Sequence, residues 1–417
     1  MAKFNLTRDS FEVFLEAEEL GHSCQVGTIY RDKVRTALPV SFEYTEEWIA
    51  QHPFMLDPRL ELYAGEQHPV GDSALFGIFL DSAPDRWGRM LMDRREAIQA
   101  RKAGRSPKAL QEMDYLLGVN DLTRQGALRF RRPGGPFLDN SELPTPSVMD
   151  LAELEAICDR IEEEGAEGLP EYEKWLSLLI APGSSLGGAR PKANFEEEDG
   201  SLWIAKFPAK NDTYDVGAWE YVIHRLADKA KIWVPTSRMV PLASRYRTFC
   251  VKRFDRAGAS RRMYASAMTL LEKKDGEHGS YLEMAELISN HGASGFIETD
   301  LAQLFRRVLF NVLVSNRDDH LRNHGFVWVA DGWRLSEAFD MNPNLSKETH
   351  SLALDDANPE PDIQMAMSTA AFYRLTENQA LDILAEVVDA LSGWKKLAKN
   401  MKLSVAEIDR MSPAFMI

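Results

Sequence analysis

The chain contains the polar run Asp318-Asp319-His320-Leu321-Arg322-Asn323, which is followed by two short strand-like segments and then by Phe339-Asp340. Before this stretch, apolar residues recur at intervals of three and four, which predicts a helix with one buried face. That face is made by Leu301, Leu304, Phe305, Val308, Val312 and Leu313. The order along the chain is therefore a buried helix, a polar loop, a hairpin and a carboxylate.

The polar loop has the spacing of a phosphoryl-transfer centre. Such a centre needs a carboxylate that orients the attacking hydroxyl and an oxygen ligand that holds Mg²⁺ against the phosphates, and Asp318 and Asn323 stand five residues apart. The hairpin, whose Asp331-Gly332 turn is expected to supply a positive φ, returns the chain towards the loop. Asp340 is then placed to take a second metal position. The alternative is that Asp318 and Asn323 are loop-capping residues and Asp340 a helix cap. That alternative does not explain why helix, loop, hairpin and Asp340 occur in this order.

Three further side chains around this centre are candidates. His320 lies inside the loop, and we predict that it supports the loop through a hydrogen bond to a backbone carbonyl or to Asp340 rather than acting as a base. Lys206 sits in an apolar strand, where an ammonium needs a partner, and ATP phosphates would supply one. Glu220, on the next predicted helix, can pair with that lysine. Taken alone, Lys206 could equally extend to solvent.

A loop of small residues precedes that strand and runs Gly183-Ser184-Ser185-Leu186-Gly187-Gly188-Ala189-Arg190-Pro191-Lys192. Glycines let backbone amides approach phosphate oxygens, and serine, arginine and lysine side chains add donors. The loop matches neither the GxGxxG pattern nor the Walker pattern. Its position upstream of Lys206 is what favours a role in binding phosphate. We predict that it binds phosphate.

Bulk composition narrows the class of protein. The chain has 417 residues, of which 44% are hydrophobic and 27% are charged, as in an ordinary globular protein of two or three domains. A net charge of −15 disfavours binding to nucleic acid or anionic membrane through the overall field. Cys24, Cys158 and Cys250 form no CxxC pair, which fits a reducing cytoplasm. Neither an apolar signal core nor a membrane-spanning stretch is evident, so we expect a cytoplasmic protein.

Proline and glycine cluster between residues 131 and 146, and we place a domain boundary there. Strands are predicted at 26–30 and 37–44 and a helix at 87–101 before it; helices at 148–164, 175–180 and 216–230 and strands at 193–195, 202–207 and 248–254 follow it. From Leu282 onward the pattern is almost entirely helical.

We therefore predict an α+β protein with a bilobal protein-kinase-like fold. Its parts are an amino-terminal α+β subdomain (1–145), a small α/β upper lobe with the phosphate loop (146–254) and a mainly helical lower lobe (255–417).

Taken together, several separated motifs resemble the HipA-like kinase family. They are Ser184 to Lys192, Lys206-Phe207-Pro208, Arg253-Phe254-Asp255-Arg256, Arg317 to Asn323, Phe339-Asp340, Asp81 to Arg89 and Gly126 to Phe130. The resemblance covers nearly the whole chain. It implies an ATP- and Mg²⁺-dependent serine/threonine kinase in which Asp318 is catalytic, Asn323 and Asp340 bind metal, and Lys206 binds phosphate. Lys252 and Phe254 fall where family members contact adenosine, although some members carry an acidic residue in place of Lys252.

The resemblance also implies regulation and partners. Ser185 matches the loop serine that such kinases autophosphorylate, which would switch the enzyme off; Ser184 is the neighbouring alternative. Family members are toxins held by a HipB-like helix-turn-helix antitoxin, they touch DNA only through it, and they phosphorylate aminoacyl-tRNA synthetases. The arginines between Arg245 and Arg262 are read as a solvated charged face rather than a DNA contact. Two alternatives stay open: a small-molecule phosphotransferase, and a catalytically silent partner of a DNA-bound repressor.

Overall fold

A computed structural model describes residues 7–33, 39–52, 54–138, 145–163, 165–183, 188 and 190–417. The chain divides into two compact units. The first contains Met1–Trp203 and Asp255–Tyr264, and the second contains Ile204–Phe254 and Ala265–Ile417. Helices and strands both contribute, so the predicted α+β class is confirmed. None of the described helices combines the length and the hydrophobicity that crossing a bilayer requires.

The regular elements are numbered here in chain order. The strands are β1 (Thr7–Leu15), β2 (Cys24–Lys33), β3 (Val40–Tyr44), β4 (Leu128–Arg131), β5 (Lys192–Glu196), β6 (Leu202–Lys206), β7 (Ser237–Val240), β8 (Thr248–Lys252), β9 (Arg256–Ala257), β10 (Ser260–Arg261), β11 (Tyr264–Ser266), β12 (Gly279–Ser280), β13 (Gly325–Val329), β14 (Gly332–Leu335) and β15 (Leu352–Ala353). The helices are α1 (Glu46–Gln51), α2 (Gly77–Asp81), α3 (Arg86–Lys102), α4 (Glu112–Leu117), α5 (Leu151–Ile161), α6 (Tyr172–Gly183), α7 (Val216–Lys229), α8 (Ala267–Leu270), α9 (Tyr281–His291), α10 (Ile297–Leu313), α11 (Ile363–Ser368), α12 (Glu377–Ser392), α13 (Trp394–Asn400) and α14 (Val405–Met411).

The first unit is built on an antiparallel sheet of strand order β3-β2-β1-β4. Apolar side chains of β1 such as Phe11 and Val13 are buried, and the register shifts between Val13 and Phe14. The strands predicted at 26–30 and 37–44 correspond to β2 and β3, with residues 37 and 38 outside the described part. The helix predicted at 87–101 is α3, which begins where the Asp85 carboxylate accepts the Arg86 amide.

In the second unit, β6 lies beside β8, and β8 pairs with β7 in antiparallel fashion. Helix α7 follows β6 and begins at Asp215, whose side chain accepts the amide of Ala218. The helix predicted at 216–230 is thus confirmed. Helix α10 contains the predicted apolar face, and Leu301, Leu304, Phe305, Val308, Val312 and Leu313 are all buried.

The hairpin after the polar loop is confirmed as β13 and β14, which pair with Val329 opposite Gly332. The predicted source of its turn is wrong, because neither Asp331 nor Gly332 has a positive φ. Gly332 is needed for a different reason: a Cβ there would lie 2.7 Å from the backbone nitrogen of Ala293 and 2.8 Å from the carbonyl carbon of Gly292. The segment that reaches α10 therefore passes directly over the hairpin.

Candidate functional site

Lys206, the last residue of β6, is held by two carboxylates from different elements. Its Nζ lies 2.5 Å from Glu220 Oε1 on α7 and 2.7 Å from Asp340 Oδ1 beyond the β13–β14 hairpin. Burial alone would lower the pKa of Lys206, but Asp340 and Glu220 outweigh burial, so the pKa is raised. The Lys206 side chain is 13% exposed and Asp340 is 45% exposed. The strand lysine therefore stays charged and faces a carboxylate that solvent can reach.

Asp340 is placed by the residues just before it. Ser336 N donates to Gly325 O at 2.9 Å, and Ala338 N donates to Trp233 O at 2.7 Å, which guides the chain out of β14. Phe339 then stacks on Phe254, with ring centroids 5.4 Å apart and planes at 21°. Asp340 itself has a φ of 56°, a left-handed conformation that few non-glycine residues adopt. Such a conformation persists only where the surrounding structure enforces it.

The loop between α10 and β13 carries Asp318 and Asn323 close together. Asn323 Nδ2 donates to the backbone carbonyl of Asp318 at 3.4 Å, and Asn323 N donates to His320 O at 2.8 Å. Ser315 begins the loop with a φ of 52°. The Asp318 side chain is 56% exposed. The loop thus presents one accessible carboxylate, that of Asp318, and it holds the amide side chain of Asn323 against the Asp318 backbone.

Behind the loop lies a buried network that the sequence reasoning missed. The Asp319 carboxylate accepts from Tyr281 Oη at 2.6 Å and from Asn311 Nδ2 at 2.9 Å, and it lies 2.6 Å from His324 Nε2. Burial would raise the pKa of Asp319, but His324 and Tyr281 hold it below its usual range. The signal that could have found it was the second aspartate of the Asp318-Asp319 pair.

Asp318 contacts a lysine that was also missed. Lys347 Nζ is paired with Asp318 Oδ1 and donates to Ser351 Oγ at 2.9 Å. Arg317 Nη1 donates to Lys347 O at 2.7 Å, and both the amide and the hydroxyl of Ser351 donate to Arg317 O, at 3.0 and 3.1 Å. Several bonds therefore fix the segment after Asp340 onto the loop, and they bring a cation to Asp318.

The remaining predicted site residues include His320 and Lys252, and the hydrogen bond predicted for His320 is not formed. His320 is exposed, and within the described residues its ring makes no hydrogen bond, so the expected bond to Asp340 is absent. The imidazole that supports the loop is that of His324, because the turn Leu321–Asn323 directs the chain inward only after His320. Lys252 ends β8, and its amide donates to Thr236 O at 2.8 Å. The roles predicted for Lys252 and Phe254 stay predictions.

Part of the small-residue loop belongs to the first unit. Ser185, Leu186 and Gly187 lie outside the described residues. Gly188 has a φ of 80°, its amide donates to Asp85 Oδ2 at 2.5 Å, and a Cβ on it would lie 3.0 Å from Lys192 Nζ. Lys192 is buried, and its carbonyl accepts from Trp87 Nε1 at 2.9 Å. The Asp81 to Arg89 motif therefore anchors the end of this loop.

Comparison with known proteins supports one family. A family model described as the HipA-like C-terminal domain matches residues 184–394, about half of the chain. HipA of Shewanella oneidensis MR-1, solved with HipB and operator DNA, aligns with a TM-score of 0.67 at 16% identity, covering 97% of this chain and 94% of that one. The proinflammatory kinase CtkA of Helicobacter pylori gives a TM-score of 0.37 at 14% identity, over 53% of this chain and 94% of that one. No curated protein matches.

The Shewanella structure shares the fold with this chain across nearly the full length of both proteins. The family match spans the strand lysine, the polar loop and Asp340, and the second unit brings Lys206 and Asp340 into contact. The chain therefore belongs to the HipA-like family.

Proposed function

We propose that this protein is an ATP- and Mg²⁺-dependent serine/threonine protein kinase of the HipA type. The observation that carries the proposal is the position of Lys206 between Glu220 and Asp340. A lysine paired with a helix glutamate, next to the carboxylate that follows a hairpin, is the arrangement that protein kinases use to position nucleotide phosphates. Simple binding of a partner protein would not require it.

In this proposal, Lys206 binds phosphate oxygens. Its raised pKa keeps the ammonium charged at neutral pH, and Glu220 fixes its direction from α7. Gly187 and Gly188, with Ser185, Leu186 and Lys192, would supply further phosphate contacts. Lys252 and Phe254 would contact the adenosine.

Asn323 and Asp340 would hold Mg²⁺. Both offer the hard oxygen ligands that Mg²⁺ prefers, and Mg²⁺ sites commonly use one or two carboxylates and complete the shell with phosphates and water. When bound, the ion would neutralise charge on the transferred phosphoryl group.

Asp318 would orient the acceptor hydroxyl and take its proton. The side chain is exposed enough for a polypeptide hydroxyl to reach it, and Lys347 supplies a positive charge beside it. The network around Asp319 supports the loop from below through Tyr281 and His324. Positioning and electrostatics of this kind supply most of the catalysis in phosphoryl transfer.

Further parts of the proposal follow from the family. We propose a bilobal kinase arrangement with the subdivision 1–145, 146–254 and 255–417, and cytoplasmic location. The Shewanella relative was solved with HipB and operator DNA. A HipB-like antitoxin is accordingly the proposed partner here, with DNA reached only through it. The proposed substrate is a translation component such as an aminoacyl-tRNA synthetase, and autophosphorylation at Ser185 is the proposed off-switch.

The test is phosphoryl transfer by the full chain. Purified protein is incubated with Mg²⁺ and ATP labelled at the γ-phosphate, alone and with cell extract, and labelled peptides are mapped. The proposal predicts label on Ser185 in the protein itself and on at least one extract protein, with the self-label lost in Ser185→Ala. Label on small molecules only would support a small-molecule phosphotransferase. ATP binding without any transfer would support a silent binding protein.

A further inference from the structure

The second unit contains a pocket that the proposed kinase site does not use. Its volume is about 430 Å³, and it lies where the start of α7 meets the β7–β8 connection and α14. The lining residues are Thr213, Tyr214, Asp215, Arg245, Tyr246, Arg247, Ser404, Ala406, Glu407 and Arg410. Pockets of about 300 to 1,000 Å³ are typical of small-ligand sites.

Both acidic side chains of this pocket, Asp215 and Glu407, are hydrogen-bonded to other protein groups. Asp215 accepts from the amides of Ala218 and Arg247 at 3.0 and 3.2 Å, and its Oδ2 lies 3.0 Å from Arg247 Nε. Glu407 accepts from the Asp215 amide at 3.0 Å and from Ser404 Oγ at 2.8 Å. Asp215 is therefore ion-paired with Arg247, and both oxygens of Glu407 accept hydrogen bonds within the wall of the pocket.

The donors of Arg247 are also used within the protein, because Arg247 pairs with Asp215 and donates to the carbonyls of Met401 and Lys402. Arg245 and Arg410 differ from it. Among the residues that the structure describes, neither is paired with a carboxylate. Arg245 lies over the Tyr246 ring at 5.1 Å.

Arg410 lies over the Tyr214 ring at 4.6 Å, and it donates to Thr213 Oγ1 at 3.1 Å. The pocket thus holds two guanidinium groups, each resting on an aromatic ring and neither in an ion pair with a carboxylate of the described residues. Stacking on a ring restricts an arginine without using up its donors for an anion.

We infer that this pocket binds a phosphate monoester. Three arginines and two carboxylates line the pocket, which leaves it a net charge of +1. Guanidinium forks pair with phosphate oxygens in a bidentate manner, and a monoester offers three terminal oxygens to the forks of Arg245 and Arg410 where a diester offers two. The monoester could be free in solution or part of a phosphorylated polypeptide. The inference does not depend on the proposed kinase activity, because none of its residues belongs to that site.

The test compares two double variants of the full chain. Arg245→Ala with Arg410→Ala removes both free guanidinium groups. Arg225→Ala with Lys229→Ala removes the same charge from α7, where these side chains pair with Asp228 and Asp389, roughly 15 Å or more along the helix from Asp215. Circular dichroism and thermal unfolding confirm that both variants fold.

Binding of inorganic phosphate and of a short phosphoserine peptide is measured by isothermal titration calorimetry. The inference predicts that the pocket variant loses at least about tenfold in affinity for one or both probes, whereas the control variant matches the wild type. Tighter binding of inorganic phosphate would identify a free ligand, and tighter binding of the peptide a phosphorylated polypeptide. Equal affinities of the two variants for both probes would overturn the inference. So would an arginine-dependent preference for an oligonucleotide over both probes.

Discussion

The substitution Tyr281→Phe removes a single hydroxyl from the buried network beneath the polar loop that carries Asp318. That hydroxyl donates to Asp319 at 2.6 Å and accepts from Asn311 Nδ2 at 3.2 Å in a fully buried environment. A hydrogen bond to a charged group contributes about 1.5–3 kcal/mol, and phenylalanine fills the same space without leaving a large cavity. Asn311 retains its bond to Asp319 at 2.9 Å. The free energy of unfolding should therefore fall by about 1.5–3 kcal/mol.

Urea unfolding followed by tryptophan fluorescence measures this change. The matched control is Tyr221→Phe, because the Tyr221 hydroxyl makes no hydrogen bond to the described residues and its ring lies beside that of Phe249. The control should stay within about 0.5 kcal/mol of the wild type. A loss in Tyr281→Phe no larger than in the control would refute the idea that Asp319 organises this region.

Further predictions concern the loop, the hairpin and acid stability. Lys347→Ala should lower the rate of phosphoryl transfer about tenfold or more while Lys347→Arg retains most of it, because the cation beside Asp318 is what matters. Gly332→Ala should destabilise the protein by about 1–3 kcal/mol in urea unfolding, because its Cβ would collide with backbone, whereas Gly393→Ala meets nothing within 4 Å and should be neutral. Burial, followed by the charges of neighbouring cations, lowers the pKa of His224 from 6.5 to about 4. The unfolded chain therefore takes up a proton that the folded chain refuses, so stability should fall by about 3 kcal/mol as pH drops from 6.5 towards 4, and His224→Gln should flatten this slope.

The sequence predicted those parts of the structure that depend on local pattern. The apolar stripe of α10 follows from a periodicity of three to four residues, and the β13–β14 hairpin from two strand-like segments on either side of Asp331-Gly332. The order of strand lysine, helix glutamate and carboxylate after the hairpin was also visible, and the structure brings these three side chains together. Family-specific motifs carried the rest of the prediction.

What pattern could not show are contacts between residues far apart in the chain. Lys347 reaches Asp318 across 29 positions, and Tyr281 reaches Asp319 across 38. The choice between His320 and His324 as the loop support depends on the direction of one short turn. The prediction for Gly332 failed for a related reason. Glycine is required at position 332 because the Ala293 backbone approaches it closely, and not because of its own φ.

In the proposed function, Asp318 orients the acceptor hydroxyl and takes its proton, while Lys206 binds the nucleotide phosphates and Asp340 binds Mg²⁺. The most direct test is to measure ATP binding and phosphoryl transfer in the same preparation of Asp318→Asn, with Asp382→Asn as a matched exposed control. Both variants should bind ATP like the wild type, and Asp318→Asn alone should lose transfer by a factor of about 10² to 10⁴. Transfer at the wild-type rate by Asp318→Asn would contradict the account.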